Sequence, residues 1–100
     1  MGDQCQILIQ DRDSKVFLYS HWDGYKIDLI LKNALIRGES RWDDPPYLTR
    51  IIFCEMIRGD VMGVIGYGIS SVDQDGPITR IWWLNNELMV DDVKAEDWIK

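Results

Sequence analysis

The chain has 100 residues, 46% of them hydrophobic and 28% charged, and its formal net charge is −6. These values are typical of one globular domain spanning residues 1–100, and an aromatic content of 11% excludes an extended disordered chain. The acidic balance makes direct nucleic-acid binding an unfavourable hypothesis, because there is no excess of cationic side chains to displace counterions from phosphates. No apolar run approaches the roughly 18 residues that cross a bilayer. We therefore expect a cytoplasmic protein without a membrane partner.

The first half of the chain predicts a hairpin followed by two helices. Apolar residues alternate over 5–10, turn residues occupy 11–14, and a β-branched and aromatic run follows at 16–19. From residue 26 to residue 37 apolar side chains recur every three or four positions, which predicts a helix ending at Gly38. A second helix should run from Pro45 to Arg58 with Asp44 as its N-cap.

The second half predicts strands. Residues 61–70 are β-rich and contain three glycines, which favour a bent strand over a phosphate-binding loop because no helix follows them. Strands at 78–84 and 87–90 should be joined by a tight turn at residues 85–86, whereas residues 91–100 fit either a short helix or a strand. The order ββααβββ indicates an α+β fold, with an antiparallel sheet packed on one face by two helices.

Two loops that each precede a predicted helix combine aromatic and acidic residues; we call residues 20–25 the first aromatic loop and residues 41–47 the second. The first aromatic loop contains the only histidine. A histidine beside a carboxylate can act as a general base at neutral pH. The alternative is a structural histidine that bonds the backbone of its own loop. The candidate catalytic residues of a small hydrolase built on these loops are His21, Asp23, Asp43 and Asp44.

The same loops could instead bind a small molecule such as a nucleotide. Aromatic rings would stack on a base, and Arg41 or Arg50 would meet a phosphate. The candidate binding residues in the loops are Trp22, Tyr25, Arg41, Trp42 and Tyr47. In the second predicted helix, Glu55 lies on the apolar stripe. It either reaches water at the helix edge, which we favour, or is a buried carboxylate satisfied by Arg41 or His21.

Trp82 and Trp83 are neighbours on a predicted strand, so their side chains should point to opposite faces of the sheet. With helices on one face only, one ring covers the core and the other meets solvent. The outer ring is either covered by the C-terminal tail, for example by Trp98, or available to a partner, since Trp is enriched at interfaces. The simplest partner is a second copy of the chain, which would form a homodimer.

Cysteine and histidine usage predicts neither a disulfide nor a metal site. Cys5 and Cys54 are far apart in sequence and neither belongs to a C-x-x-C pair, so we expect two reduced thiols. The spacing of histidine and carboxylates fits no defined metal site. No cofactor motif is complete, and we expect none to be bound.

Three motifs occur in a distinctive order: HWDGY at 21–25, RWDDPPYLTRIIFCEM at 41–56 and GYGIS at 66–70. In this respect the chain resembles a family of small uncharacterised bacterial and phage proteins. The resemblance covers roughly residues 16–72 and carries no activity or catalytic residue. It implies a phage- or prophage-type accessory protein, of the kind that binds and blocks a host or defence component in the host cytoplasm.

The leading hypothesis is therefore a small non-enzymatic protein that binds a protein partner through an aromatic, acidic surface. The rivals are the hydrolase and the nucleotide-binding protein described above. A third reading is mimicry of nucleic acid, because residues 61–100 contain seven acids and only three bases. Mimicry would require those carboxylates to be spaced along one face as phosphates are.

Overall fold

A computed structural model describes residues 4–20, 26–58, 62 and 66–100, which form six strands, three helices and a short 3-10 turn at Glu39–Arg41. The α+β class is confirmed: the first seven elements follow the order ββααβββ, and the tail adds a strand and a helix. The strands are β1 (Cys5–Asp11), β2 (Ser14–Ser20), β3 (Tyr67–Ser70), β4 (Ile78–Leu84), β5 (Glu87–Val90) and β6 (Val93–Lys94). The helices are α1 (Ile27–Arg37), α2 (Pro45–Met56) and α3 (Ala95–Trp98).

The six strands form one mixed sheet in the order β3-β2-β1-β4-β5-β6. Every neighbouring pair is antiparallel except β1 and β4, which run parallel at the centre of the sheet. The prediction of a wholly antiparallel sheet was wrong at this pair. Alternation of apolar residues identifies a strand and its buried face, but it carries no information on strand direction.

The core lies between one face of the sheet and the helices α1 and α2. Successive residues of a strand face opposite sides, so the odd-numbered apolar residues of β1 point into this core while Leu8 points away from it. The fully buried side chains that meet there come from both layers: Ile7, Leu18, Leu31, Leu35, Leu48, Ile52, Ile81 and Val90. The helices of the described residues therefore cover one face of the sheet and leave the other without a helix, as the sequence predicted.

Both long helices begin and end close to the predicted positions. α1 buries Ile27, Leu31 and two residues of its last turn, and α2 ends two residues before the predicted Arg58. Asp44 is the N-cap of α2, and its Oδ1 accepts a hydrogen bond from the backbone N–H of Tyr47 at 3.4 Å. The capping and stripe patterns are thus confirmed, because both are set by local backbone chemistry.

Gly38 ends α1 for a reason that the sequence did not indicate. Its φ of −99° is accessible to any residue, so left-handed backbone does not require the glycine. A Cβ at this position would lie 3.1 Å from Ile51 Cδ1 and 3.1 Å from the carbonyl oxygen of Ala34. The glycine therefore lets the end of α1 approach the side of α2, which fixes how the two helices meet.

The two predicted hairpin turns are confirmed, and the structure decides the conformation of residues 91–100. Arg12 in the first hairpin and both Asn85 and Asn86 in the β4–β5 hairpin have positive φ, as short hairpin turns require. Residues 91–100, for which the sequence left two readings, contain both a strand and a helix: β6 pairs with β5, and α3 buries Ala95 in the core.

The predicted strand at 61–70 is confirmed at its C-terminal end, and residues 61 and 63–65 lie outside the described residues. The strand occupies Tyr67–Ser70. Gly68 lies directly against the ring of Tyr19 on the neighbouring strand, where a Cβ would collide with that ring. The close-approach interpretation of the glycines is therefore confirmed at this position.

Candidate functional site

Trp82 and Trp83 point to opposite faces of the sheet, as the sequence predicted. The Trp83 ring packs against the core, and its Nε1–H donates to the carbonyl oxygen of Trp42 at 2.7 Å. Trp82 is half-buried on the other face, and its Nε1–H donates to the carbonyl oxygen of Asp91 at 2.7 Å. Trp98 packs against the same core as Trp83. The outward-facing tryptophan is therefore Trp82.

The surface around Trp82 is formed by outward-facing side chains of β2, β1, β4 and β5, and we call it the helix-free face. Strand register puts Leu8 beside Phe17 and Arg80, and puts Trp82 beside Met89 in the next row. Apolar side chains are exposed at the two ends of this face: Ile78 is 41% exposed and Leu84 is 47% exposed. The helix-free face comprises Leu8, Gln10, Lys15, Phe17, Ile78, Arg80, Trp82, Leu84, Glu87 and Met89, with Lys94 of β6 at its edge. Within this face Phe17 and Met89 are buried.

A guanidinium group stacks on this face. The Cζ of Arg80 lies 4.2 Å from the centroid of the Trp82 ring, and its Nε donates to Gln10 Oε1 at 3.1 Å. Asp91 extends the pairing of β4 and β5, because its Oδ1 accepts the Arg80 backbone N–H at 2.9 Å. Trp82 is thus held between a cation and a backbone acceptor in a fixed orientation.

One end of the helix-free face is bordered by an acidic loop, residues 71–77, which connects β3 to β4. Gln6, which is fully buried, holds this loop: its Nε2 donates to Asp73 Oδ1 at 2.8 Å, and its Oε1 accepts the Gln74 N–H at 2.9 Å. The Gln6 hydrogen bond lowers the pKa of Asp73, the Asp75 backbone N–H lowers it further, and desolvation opposes both. Asp73 is therefore kept as an anion beside the sheet.

In the second aromatic loop, Trp42 and Asp44 have structural roles. The Trp42 Nε1–H donates to the carbonyl oxygen of Leu35 at 2.9 Å, and the ring packs against the core. The Asp44 carboxylate caps α2 and lies 3.8 Å from Arg41 Nη1. Asp43 is exposed and lines a cleft of about 490 Å³ near the two hairpin turns.

His21, Trp22, Asp23 and Tyr25, which belong to the first aromatic loop, lie outside the described residues. The predicted convergence of the two loops on one cavity therefore stays a prediction. Among the described residues, the clefts that Asp43 lines are bordered by the β1–β2 and β4–β5 turns and by the tail. In the described part of the chain, no group of three or more His, Cys, Asp or Glu side chains has a geometry that could hold a metal ion.

A second cleft lies on the helical layer and was not predicted. It has a volume of about 410 Å³, and we call it the arginine cleft. Glu55 lies between two cations there, 3.8 Å from Arg37 Nε and 3.5 Å from Arg58 Nη1, with its side chain 12% exposed. Of the two interpretations of Glu55, the structure supports the paired carboxylate, but the partners are Arg37 and Arg58 and not the expected Arg41. The residues that line the arginine cleft are Arg37, Tyr47, Arg50, Ile51, Cys54, Glu55 and Arg58.

Tyr47 joins this cleft to the second aromatic loop. The guanidinium carbon of Arg41 lies 4.3 Å from the centroid of its ring, and that of Arg50 lies 5.1 Å from the same centroid. Neither cysteine is in a disulfide: Cys5 is buried, and Cys54 is exposed at the cleft. The arginines are spread over α1 and α2 in the sequence, so their proximity follows from how those helices meet at Gly38.

No protein-family model, curated protein or solved structure matches the chain. The phage or prophage type implied by the motif resemblance therefore stays a prediction. Among the helices of the described residues, none combines the length and the apolar character needed to cross a membrane.

Proposed function

We propose that this protein is a non-enzymatic binding protein whose interaction surface is the helix-free face. The observation that carries the proposal is the half-buried Trp82 at its centre, flanked by exposed apolar side chains at both ends of the same face. Apolar patches centred on a fixed aromatic ring are the usual composition of a protein interface, because such a ring buries a large area at low entropic cost.

The roles of Trp42 and Asp44 favour binding over catalysis. The indole N–H of Trp42 is taken by a backbone carbonyl, so this ring supports the core of the protein. The Asp44 carboxylate is committed to capping α2. Two of the four candidate catalytic residues, Asp43 and Asp44, are described. Of these two, Asp43 is the exposed one, and it does not cap a helix. A hydrolase built on His21 remains the rival hypothesis.

The first partner that we propose is a second copy of the chain. Lys15 and Lys94 lie in the same row of the sheet as Gln10 and Trp82, whereas the acidic loop borders the end at which β1 begins. A two-fold axis lying in the interface, perpendicular to the strands, would turn one copy end for end. It would then bring the acidic end of each face toward the lysine row of the other, as an isologous interface requires.

Sedimentation equilibrium at micromolar concentrations tests this proposal. The wild type should show a monomer–dimer equilibrium, and Trp82→Ala should be a monomer with nearly unchanged stability. Leu29→Ala is the matched control, because Leu29 is 62% exposed on α1 in the other layer, and this variant should dimerise as the wild type does. A strictly monomeric wild type, or a dimer that Trp82→Ala leaves intact, would count against the proposal.

Inhibition of a host or defence component, to which the motif resemblance points, would use the same face. If this face is the inhibitory surface, the wild type and Leu29→Ala should retain a host protein from lysate. Trp82→Ala should not retain it. Retention that is equal for all three baits would place that activity elsewhere on the molecule.

A further inference from the structure

The arginine cleft lies on the helical layer, away from the helix-free face. α2 has two stripes: Leu48, Ile52 and Met56 point into the core, and a second set of residues spaced by three or four positions lines the cleft. Packing against the sheet explains the first stripe only. The second stripe contains Tyr47, Arg50, Ile51 and Cys54, and Arg58 continues it just beyond the end of α2.

The charge of this cleft is opposite to that of the whole chain. Among the described residues, three guanidinium groups, those of Arg37, Arg50 and Arg58, share it with one carboxylate, that of Glu55. A surplus of two positive charges is thus concentrated in a cleft of about 410 Å³ on a protein whose net charge is −6. Cations placed together repel one another, so such a cluster favours occupation by an anion.

The contacts with Glu55 leave many of the N–H donors of these guanidinium groups without a strong hydrogen bond. The distances of 3.8 Å from Glu55 to Arg37 and 3.5 Å from Glu55 to Arg58 exceed the roughly 2.7–2.9 Å of a tight charge-assisted hydrogen bond. Arg50 forms no ion pair within residues 4–20, 26–58, 62 and 66–100, and its guanidinium lies over the Tyr47 ring. Several guanidinium N–H donors therefore face the cleft without a strong acceptor.

Helix dipoles explain only part of the cluster. Arg37 lies in the last turn of α1 and Arg58 lies just beyond α2, where a cation stabilises the C-terminal end of a helix. Arg50 lies in the middle of α2, where this effect is absent. Its position is explained better by a ligand that needs a third donor.

We propose that the arginine cleft binds a small phosphomonoester. A phosphomonoester carries a charge of about −1.5 to −2 at neutral pH, which matches the surplus of the cleft. Arginine binds phosphate in a bidentate manner, and Ile51 and Tyr47 offer apolar surface to the organic group. The volume of about 410 Å³ lies within the range of small-molecule sites.

Isothermal titration calorimetry of the full chain with adenosine monophosphate tests this proposal, with adenosine as the uncharged control. Arg50→Gln removes the unpaired cation and should weaken binding about tenfold, the usual effect of losing one hydrogen bond to a charged group. Lys100→Gln is the matched control. It makes the same change in net charge, but at an exposed position just after α3, and this variant should bind the ligand as the wild type does. Equal affinities for all three proteins, or no heat at low salt, would overturn the proposal.

Two further readouts locate the ligand. Affinity should rise as pH increases through the second phosphate pKa of about 6, because the dianion forms there. Native-state alkylation of Cys54 should slow when adenosine monophosphate is bound, and buried Cys5 should contribute no background. Binding that leaves the Cys54 rate unchanged and does not depend on Arg50 would place the ligand outside this cleft.

Discussion

The two faces of the same sheet differ in composition and in the function that we assign to them. Toward the helices, Ile7, Leu18 and Ile81 form a continuous aliphatic layer that is completely buried. On the helix-free face, apolar and charged side chains alternate, and Arg80 stacks on Trp82 in the middle of the sheet. One residue step along β4 therefore separates Trp83, which stabilises the fold, from Trp82, which is available to a partner.

The adjacent tryptophans give the largest test of this comparison. Trp83→Ala should lower the free energy of unfolding by about 3 kcal/mol, because it removes a large ring packed on the core and leaves the Trp42 carbonyl without its donor. Trp82→Ala should cost less than about 1 kcal/mol, mainly the stacking of Arg80. Urea denaturation of both variants measures the difference. Equal costs would mean that the helix-free face contributes to stability as the core does.

Gln6 gives a second test of the difference between the two faces. It is the one fully buried polar side chain of β1, and it points toward the helix-free side. Gln6→Leu should cost about 2 kcal/mol, since the Gln74 N–H and the Asp73 carboxylate would lose a partially buried partner. Gln10→Leu, on the same face, is the control and should cost much less, because its amide accepts only from Arg80 among the described contacts.

The same substitution has a signature in pH. The pKa of Asp73 is lowered in the folded protein, chiefly by Gln6, so the stability it contributes is present above the ordinary aspartate pKa. That stability is lost as pH falls through the lowered value. Gln6→Leu should therefore raise the Asp73 pKa in an NMR titration and flatten the acid limb of the stability curve. An unchanged Asp73 pKa would contradict the role given to Gln6.

The smallest effect concerns the two aspartates before α2. Asp44→Ala should cost about 1 kcal/mol, the usual value of an N-cap. Asp43→Ala should cost less, because Asp43 is exposed and lines only open clefts. Chemical denaturation compares the two. If Asp43→Ala leaves stability unchanged and removes binding, then Asp43 belongs to a functional surface.

Sequence alone predicted the features that depend on local chemistry. Asp44 and Pro45 identify the start of α2, and the turn at Asn85 and Asn86 follows from their tolerance of positive φ. Alternation predicted that Trp82 and Trp83 face opposite ways, but not which one faces the core. That outcome depends on the register of β4, since the pairing of Ile9 with Ile81 places Ile81, and therefore Trp83, on the core face.

The arginine cleft was beyond sequence reasoning for a related reason. Arg37 and Arg58 are 21 positions apart in the numbering of the chain, and they come together only because α1 ends against the side of α2. Gly38 permits this approach, yet its place in the sequence indicated only a helix end. The signal that could have been used is the second stripe of α2, in which Tyr47 and Arg50 share one side and which Arg58 continues beyond the helix.

We propose that a partner meets the helix-free face and not the helix-covered one. The indole N–H resonances of Trp82 and Trp83, assigned from Trp→Phe variants, report on the two faces separately in one ¹⁵N-correlated NMR spectrum. As the concentration of the protein rises from micromolar to millimolar, the Trp82 resonance should shift or broaden while that of Trp83 stays in place. A Trp82 resonance that is constant over this range, with a monomeric diffusion coefficient throughout, would contradict the account.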